Sequence, residues 1–433
     1  VTAACLAESG FEVIGVDPDA AVVEALEHGQ APVSEPGLDD LLAEGMRSGR
    51  LRFTTDARAL SAANQVWVTF DTPVDDDDRA DVEWVLSSAE QLLAPLASGT
   101  LVIVSSQLPV GSVAELERRV RMARSGAALR FACVPENLRL GQALEAFRRP
   151  ERIVAGVRSD ADRSELAVAL ARFTDSVEWM RVESAEMTKH ALNGFLATSV
   201  AFINEVAAVC EQVGADAAEV SRGLKSEPRI GPHAYLAPGD AFSGGTLARD
   251  VAFMCELATR HGLSSHVFRG VAEGNDAHKR WSRRRLVELL GQGVGETPSL
   301  AGSTVAVWGL TYKPGTDTLR RSGALELCHW LASAGAAVRT HDPAAAALPA
   351  DTPPAVERFS EALEAAAGAD ALVLATPWPE YRAVSAADLR AAMRAPIVLD
   401  AVGFLAGSLD RAPGIGYVRV GSGSDAAAAL GGR

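Results

Sequence analysis

Hydrophobic positions along this chain switch between two periods. Phe11-Glu12-Val13-Ile14-Gly15-Val16 is a short β-rich run that closes on Asp17, and Ala20 to Glu27 follows with helical spacing. Ahead of it, Val1 to Glu8 reads as the interior of a helix that Gly10 can end. Apolar runs at Gln65–Phe70, Thr100–Ser105, Leu129–Val134 and Arg152–Val157 predict further strands, with a helix over Val113–Ala123. Strands alternating with helices predict a parallel sheet covered on both faces. From Ser184 to about Val213 the pattern becomes one long helical period, and helical segments separated by loops continue to about Gly291. From Ser303 the alternation resumes, with strands expected at Thr304–Gly309, Ala337–Asp342, Ala371–Ala375 and Ile397–Asp400 and a helix around Ala324–Ala334. The fold class is therefore α/β, two doubly wound domains flanking an α-helical centre. The runs Ala344–Ala347 and Ala426–Ala429 read as helix or codon bias, not as a functional repeat.

Length agrees with this division, since 433 residues at about 150 per domain give roughly three domains. Charge changes the picture more. Lys plus Arg number 41 against 56 Asp plus Glu, a net −15 that repels nucleic-acid phosphates, and no basic cluster offsets it. Cys5, Cys133, Cys210, Cys255 and Cys328 are scattered and odd in number, which argues against a disulfide framework or a zinc site. His190 and His233 are not spaced as metal ligands, and Asp75-Asp76-Asp77-Asp78 reads as a solvated loop. No apolar run is expected to reach the ~18 residues of a membrane span and no export signal is evident, so the cytoplasm is the expected location.

A strand closing on Asp17 suits an acid that accepts hydrogen bonds from the ribose hydroxyls of NAD and repels the extra phosphate of NADP. The first strand and GxGxxG turn that would cradle the pyrophosphate do not occur before Asp17. We expect them to precede Val1 in a longer protein, because loss of a central strand would leave two unpaired edges. In Glu186-Met187-Thr188-Lys189-His190-Ala191-Leu192-Asn193, the i, i+4 spacing puts Lys189 and Asn193 on one helix face. An ammonium and a carboxamide there can hold water and stabilise charge developing on an oxygen.

Several short blocks, in order along the chain, resemble the UDP-glucose/GDP-mannose dehydrogenase family. Val1-Thr2-Ala3-Ala4-Cys5-Leu6-Ala7 is similar to the stretch just after that family's glycine loop. Ser34-Glu35-Pro36-Gly37-Leu38, Thr72-Pro73, Pro109-Val110-Gly111, Pro135-Glu136, Phe202-Ile203-Asn204-Glu205 and Arg229-Ile230-Gly231 match further blocks. The resemblance implies two Rossmann-like domains, for NAD and for a nucleotide sugar, joined by a long helix in a helical dimerisation region. Boundaries are expected at 1–182, 183–295 and 296–433. It also implies NAD-dependent oxidation of a UDP-hexose at its C6 alcohol toward the aldehyde and uronic acid, serving polysaccharide biosynthesis, by a homodimer or higher homo-oligomer.

Roles carried over by the resemblance are these. Glu136 moves protons through water, Lys189 and Asn193 stabilise a developing sugar oxyanion, and Thr72, Pro73 and Arg320 contact the cofactor beside Asp17. Arg229, Gly231 and Lys313 face the substrate, Lys313 within Trp308-Gly309-Leu310-Thr311-Tyr312-Lys313-Pro314-Gly315-Thr316-Asp317. No metal is needed for hydride transfer.

Four departures bear on the chemistry. In Ser243-Gly244-Gly245-Thr246-Leu247-Ala248-Arg249-Asp250, Thr246 stands where the family carries the cysteine that captures the aldehyde. A threonine hydroxyl is a weak nucleophile without a dedicated base. Asp250 is either that base or a cap of the next helix. Cys255, about 140° round a helix from Asp250, is poorly placed to substitute, and Cys133 is expected to point into the sheet. Gln107 stands where a threonine would help Glu136 orient water, Leu140 replaces a second acid, and Ala401-Val402-Gly403 replaces Gly-Arg-Asn. Two alternatives follow: a two-electron oxidation ending at an aldehyde or ketone, and a nucleotide-sugar-binding homologue without catalysis.

Overall fold

A computed structural model describes residues 1–33, 35–73, 80–123, 128–136, 138, 141–242, 246–291, 299–319 and 322–422. The expectations for Asp75–Asp78, Leu140, Arg320 and Ala426–Ala429, and for Ser243 to Gly245, lie outside the described residues. The chain divides into two compact units, Val1–Leu192 and Asn193–Arg433.

In the first unit, β1 (Val13–Val16) pairs in parallel with β2 (Leu51–Thr54) as a separate two-stranded sheet. A second sheet has the order β3 (Gln65–Val68), β4 (Leu101–Val104), β5 (Arg130–Cys133), β6 (Ile153–Val157), β7 (Val177–Met180). Among the described residues, β1 and β3 each lack a strand neighbour on one side. The expected all-parallel arrangement needs one correction, because β6 runs antiparallel to β5. Among the described residues the connection between them carries only the short helix Ala143–Arg148, less than the crossover that joins parallel neighbours.

β4 is buried along its whole length, as a strand covered on both faces should be. Helices Val82–Leu93 and Ser112–Ala123 cover one face through Val85, Leu86, Val113 and Leu116. The 32-residue helix Val182–Val213 starts against β6. A Cβ on Gly156 would stand 2.7 Å from Cβ of Ala185 and from Cα of Val182, so glycine is what lets the helix approach the strand.

The second unit opens with the rest of that helix, followed by helices Ala217–Ser226, Leu247–Arg260, His266–His278 and Trp281–Leu290. A six-stranded parallel sheet follows, formed by β8 (Thr304–Trp308), β9 (Ala337–His341), β10 (Val356–Arg358), β11 (Ala371–Leu374), β12 (Ile397–Asp400) and β13 (Gly416–Val418). Its order, β10-β9-β8-β11-β12-β13, reverses between β8 and β11, which defines a doubly wound sheet with a switch point there. Ala207, Cys210, Ala217 and Trp281 from the helical part share one core with Val305, Val307 and Leu399 from the sheet.

Two expectations are corrected. Ala344–Ala347 is loop, because Asp342 takes the N–H groups of Ala344 and Ala345 in a turn at 2.8 and 2.9 Å. Helix Val182–Val213 does reach membrane-span length and apolarity, with an 18-residue window of mean hydropathy 1.4. Asn193, Asn204 and Glu211 are buried on it with protein partners, as in the core helix of a packed domain.

Candidate active site

Strand β4 ends at Val104, and the loop after it holds Gln107 and Pro109-Val110-Gly111. Three side chains from other segments fasten this loop. Glu186, buried on the long helix, accepts from the N–H groups of Gly111 at 2.9 Å and Val113 at 3.0 Å, so it anchors the start of helix Ser112–Ala123. His190 Nε2, one turn on, donates to the Leu108 carbonyl at 2.8 Å. Thr72 Oγ1 donates to the Gln107 carbonyl at 2.7 Å, joining the loops after β3 and β4. Lys189 lies between Glu186 and His190 in sequence, so the turn that carries it also holds the Gln107 loop.

A small open cleft results, lined by Ser105, Gln107, Cys133, Glu136, Glu186 and Lys189 among others. Gln107, Glu136 and Lys189, nominated from sequence, are thus brought together. Glu136 is exposed by surface area, yet protein crowds its carboxyl enough that desolvation raises its pKa. Lys189 opposes that rise and Asp71 adds to it. Burial also raises Glu186, although its two backbone N–H bonds oppose the shift. Cys133 lines the cleft, in part against expectation, but burial pushes its thiol far up, out of thiolate range.

Asp17, one residue beyond β1, is half-buried, and its Oδ1 accepts from the N–H of Asp19 at 2.9 Å. Its other oxygen has no hydrogen-bond partner among the described residues, which fits an acid able to receive ribose hydroxyls at a strand's carboxyl end. Thr72 is buried and turned to Gln107, while Pro73 beside it is exposed.

In the second unit, Asn193 Nδ2 donates to Asp250 Oδ2, with Asp250 fully buried. Thr246 holds the N-cap position of helix Leu247–Arg260 without a side-chain cap bond, and Asp250 lies in the first turn. Asp250 is therefore not the cap, and its carboxylate holds Asn193. The loop leading to this helix is tied down by residues that local sequence pattern did not single out for this task. Asn204 accepts from Gly239 N–H at 3.0 Å, and Asn275 makes a two-way pair with Phe242 N–H and carbonyl, each 2.9 Å. Arg229 is exposed and held by Glu227 at 2.8 Å, and Gly231 has φ +86°, a left-handed turn that favours glycine. Lys313 is half-buried in the loop after β8, at the switch point. There Gly309 (φ +86°) lies so close to Thr376 that a Cβ would stand 2.4 Å from it.

An acid at one strand's carboxyl end, a Glu–Lys cleft and a lysine at the switch point of the six-stranded sheet are parts that a dinucleotide-dependent oxidoreductase uses. Family models agree over most of the chain: the UDP-glucose/GDP-mannose dehydrogenase NAD binding domain matches residues 1–173, the central domain 183–277 and the UDP binding domain 306–407. The chain belongs to the UDP-glucose/GDP-mannose dehydrogenase family. It is 37% identical to a UDP-glucose 6-dehydrogenase of Pseudomonas aeruginosa, covering 92% of this chain and 90% of that one. It is 35% identical to one of Rhizobium meliloti, covering 92% of each. The solved UDP-glucose dehydrogenase of the archaeon Pyrobaculum islandicum superposes with a TM-score of 0.80 at 29% identity, covering 94% of this chain and 93% of that one. The protein is an NAD-dependent nucleotide-sugar dehydrogenase acting on a CH–OH donor.

Proposed function

We propose that this chain oxidises the C6 alcohol of a UDP-hexose such as UDP-glucose, through the aldehyde, to the uronic acid. The observation that carries this reading is the cleft that joins Glu136, Gln107 and Lys189, with Asn193 one turn further along the same helix. NAD, when bound, accepts the hydride. Glu136 takes the alcohol proton, a task suited to a carboxyl whose pKa is raised toward the working pH. Lys189 and Asn193 hold the oxygen on which negative charge develops, and Asp250 fixes the Asn193 carboxamide through Nδ2. Asp17 binds the ribose of NAD, with Thr72 and Pro73 beside the same cofactor; for Arg320, outside the described residues, the cofactor role rests on the family resemblance alone. Lys313, Arg229 and Gly231 serve the nucleotide sugar. Hydration of the aldehyde gives a geminal diol, itself an alcohol that can lose a second hydride, so full oxidation does not require a thiol at position 246. A second reading, oxidation that stops at the aldehyde, is favoured by one feature: Thr246 is exposed at its helix start and its hydroxyl makes no cap bond.

The three divisions 1–182, 183–295 and 296–433 are read as cofactor, helical and nucleotide-sugar parts. We further propose a homodimer or higher homo-oligomer. Phe195, Phe202 and Val209 are exposed at seven-residue intervals on the long helix, with Val213 one turn on, a stripe that suits a second copy of the same helix. Free cysteines at all five positions suit a cytoplasmic setting. The test is turnover on a panel of UDP- and GDP-hexoses with NAD. NADH formation with UDP-glucose, and little with GDP-mannose, is expected; the reverse order would overturn the substrate assignment.

A further inference from the structure

Ser105 sits at the inner end of the Glu136 cleft. It is 4% exposed, and its Oγ is buried with no hydrogen-bond partner among the described residues. Its own N–H is engaged by the Val68 carbonyl at 2.9 Å, which ties the backbone there to the end of β3. Buried hydroxyls left without a partner are costly, and native structures satisfy them with protein or with ordered water. Here the cleft wall is partly apolar, through Val104, Leu108 and Val113, but it also carries Glu136, Gln107 and Lys189, and it has room for a water with the two or more polar partners such a site needs.

We propose that Ser105 forms the inner end of a water site whose outer end is Glu136, and that it is a positioning residue for proton transfer. This rests on the reading of Glu136 as proton acceptor. The Ser105 hydroxyl can donate to a water and accept from it, so it can orient that water with a lone pair toward the substrate alcohol and a hydrogen toward the carboxylate. In the oxidation the alcohol's C–H bond breaks with its electron pair leaving as hydride to NAD. The O–H proton passes to the water as the water's own proton passes to Glu136, and the C–O bond becomes C=O. Ser105 ends the step unchanged. The cleft wall is rigid enough for the task, because Glu186, His190 and Thr72 hold the loop that follows Ser105.

The test compares wild type with Ser105→Ala, Ser105→Thr and Glu136→Gln in the full chain. Ser105→Ala is expected to lower kcat roughly ten-fold, a fraction of a full general-base contribution, with KM for NAD and nucleotide sugar within about two-fold. Its kcat–pH profile should shift on the acidic limb, and Ser105→Thr should restore both. A high-resolution crystal structure of the wild type should show a water within hydrogen-bond distance of Ser105 Oγ and Glu136. A Ser105→Ala protein with wild-type kcat and pH profile, beside an impaired Glu136→Gln, would overturn the Ser105 role while leaving Glu136 in place. Full activity in Glu136→Gln would overturn both. A wild-type crystal without that water would overturn the site even if Ser105→Ala failed to fold.

Discussion

The two units each place an aspartate one residue beyond a parallel strand, Asp17 after β1 and Asp342 after β9, and use it in opposite ways. Asp342 is 1% exposed and receives six donors: the N–H groups of Leu310, Thr311, Ala344 and Ala345, the Thr311 hydroxyl and the Trp378 indole. Burial alone would raise its pKa, but the backbone N–H groups outweigh burial and hold it lowered. Asp17 is half-buried and holds a single turn bond. One acid has become scaffold and the other is still open to a ligand. A strand-end aspartate is therefore open to a ligand only where the protein has not already filled its lone pairs. In the second sheet the residue proposed to meet the nucleotide sugar is instead a cation, Lys313.

The largest effect that would break this comparison is on folding. Asp342→Ala leaves four backbone N–H groups, three of them buried, without their acceptor, and we expect a loss of about 3–5 kcal/mol in denaturant unfolding or failure to fold. Asp17→Ala should change stability by less than about 0.5 kcal/mol. Equal losses in the two variants would contradict the contrast. The Asp342 contribution should also follow pH in a defined sense. Its folded pKa lies below the unfolded value of about 3.9, so the stabilisation is present above that value and disappears as pH falls through the folded pKa.

Next in size are binding effects, which should separate the sheets. Lys313→Ala is expected to raise KM for the nucleotide sugar roughly ten-fold or more, with KM for NAD unchanged. Asp17→Ala should do the opposite, weakening NAD about ten-fold and narrowing the preference for NAD over NADP. Steady-state kinetics with both cofactors measures all of this, and a shared effect on both ligands would count against separate duties.

The smallest concerns Asp240, in the loop held by Asn204. Burial and then the neighbouring Asp400 push its pKa up to about 6, although the side chain is exposed by area and water screens the effect. A raised carboxyl costs stability as pH rises from about 4 through 6, because the unfolded chain releases its proton first. Asp240→Asn should raise Tm by a degree or two at pH 7.5 and not at pH 4. A gain at both pH values would point to packing instead of charge.

Helix Ala20–Glu27, strand Ile397–Asp400 and the long helix were legible from periodicity to within two residues. The strands that local pattern missed, β2, β7, β10 and β13, are three or four residues long, and among the described residues all four lie at sheet edges, β2, β7 and β10 with part of their length exposed. The site was legible as a set of residue types, but its supports were not. Glu186 grips N–H groups 75 and 73 positions away, and Glu35 does the same for Gly141 and Ala143 at 2.6 and 2.7 Å. No local spacing reports such contacts. Asp250 shows the converse case: its position suggested a cap or a base, and only the fold shows that Asn193 holds its carboxylate.

The central claim is four-electron oxidation of a UDP-hexose in a cleft without a thiolate. Its most direct test is NADH formed per UDP-glucose consumed, with mass analysis of the product. Two NADH and UDP-glucuronate are expected; one NADH with an accumulating aldehyde would contradict it and return the chemistry to Thr246.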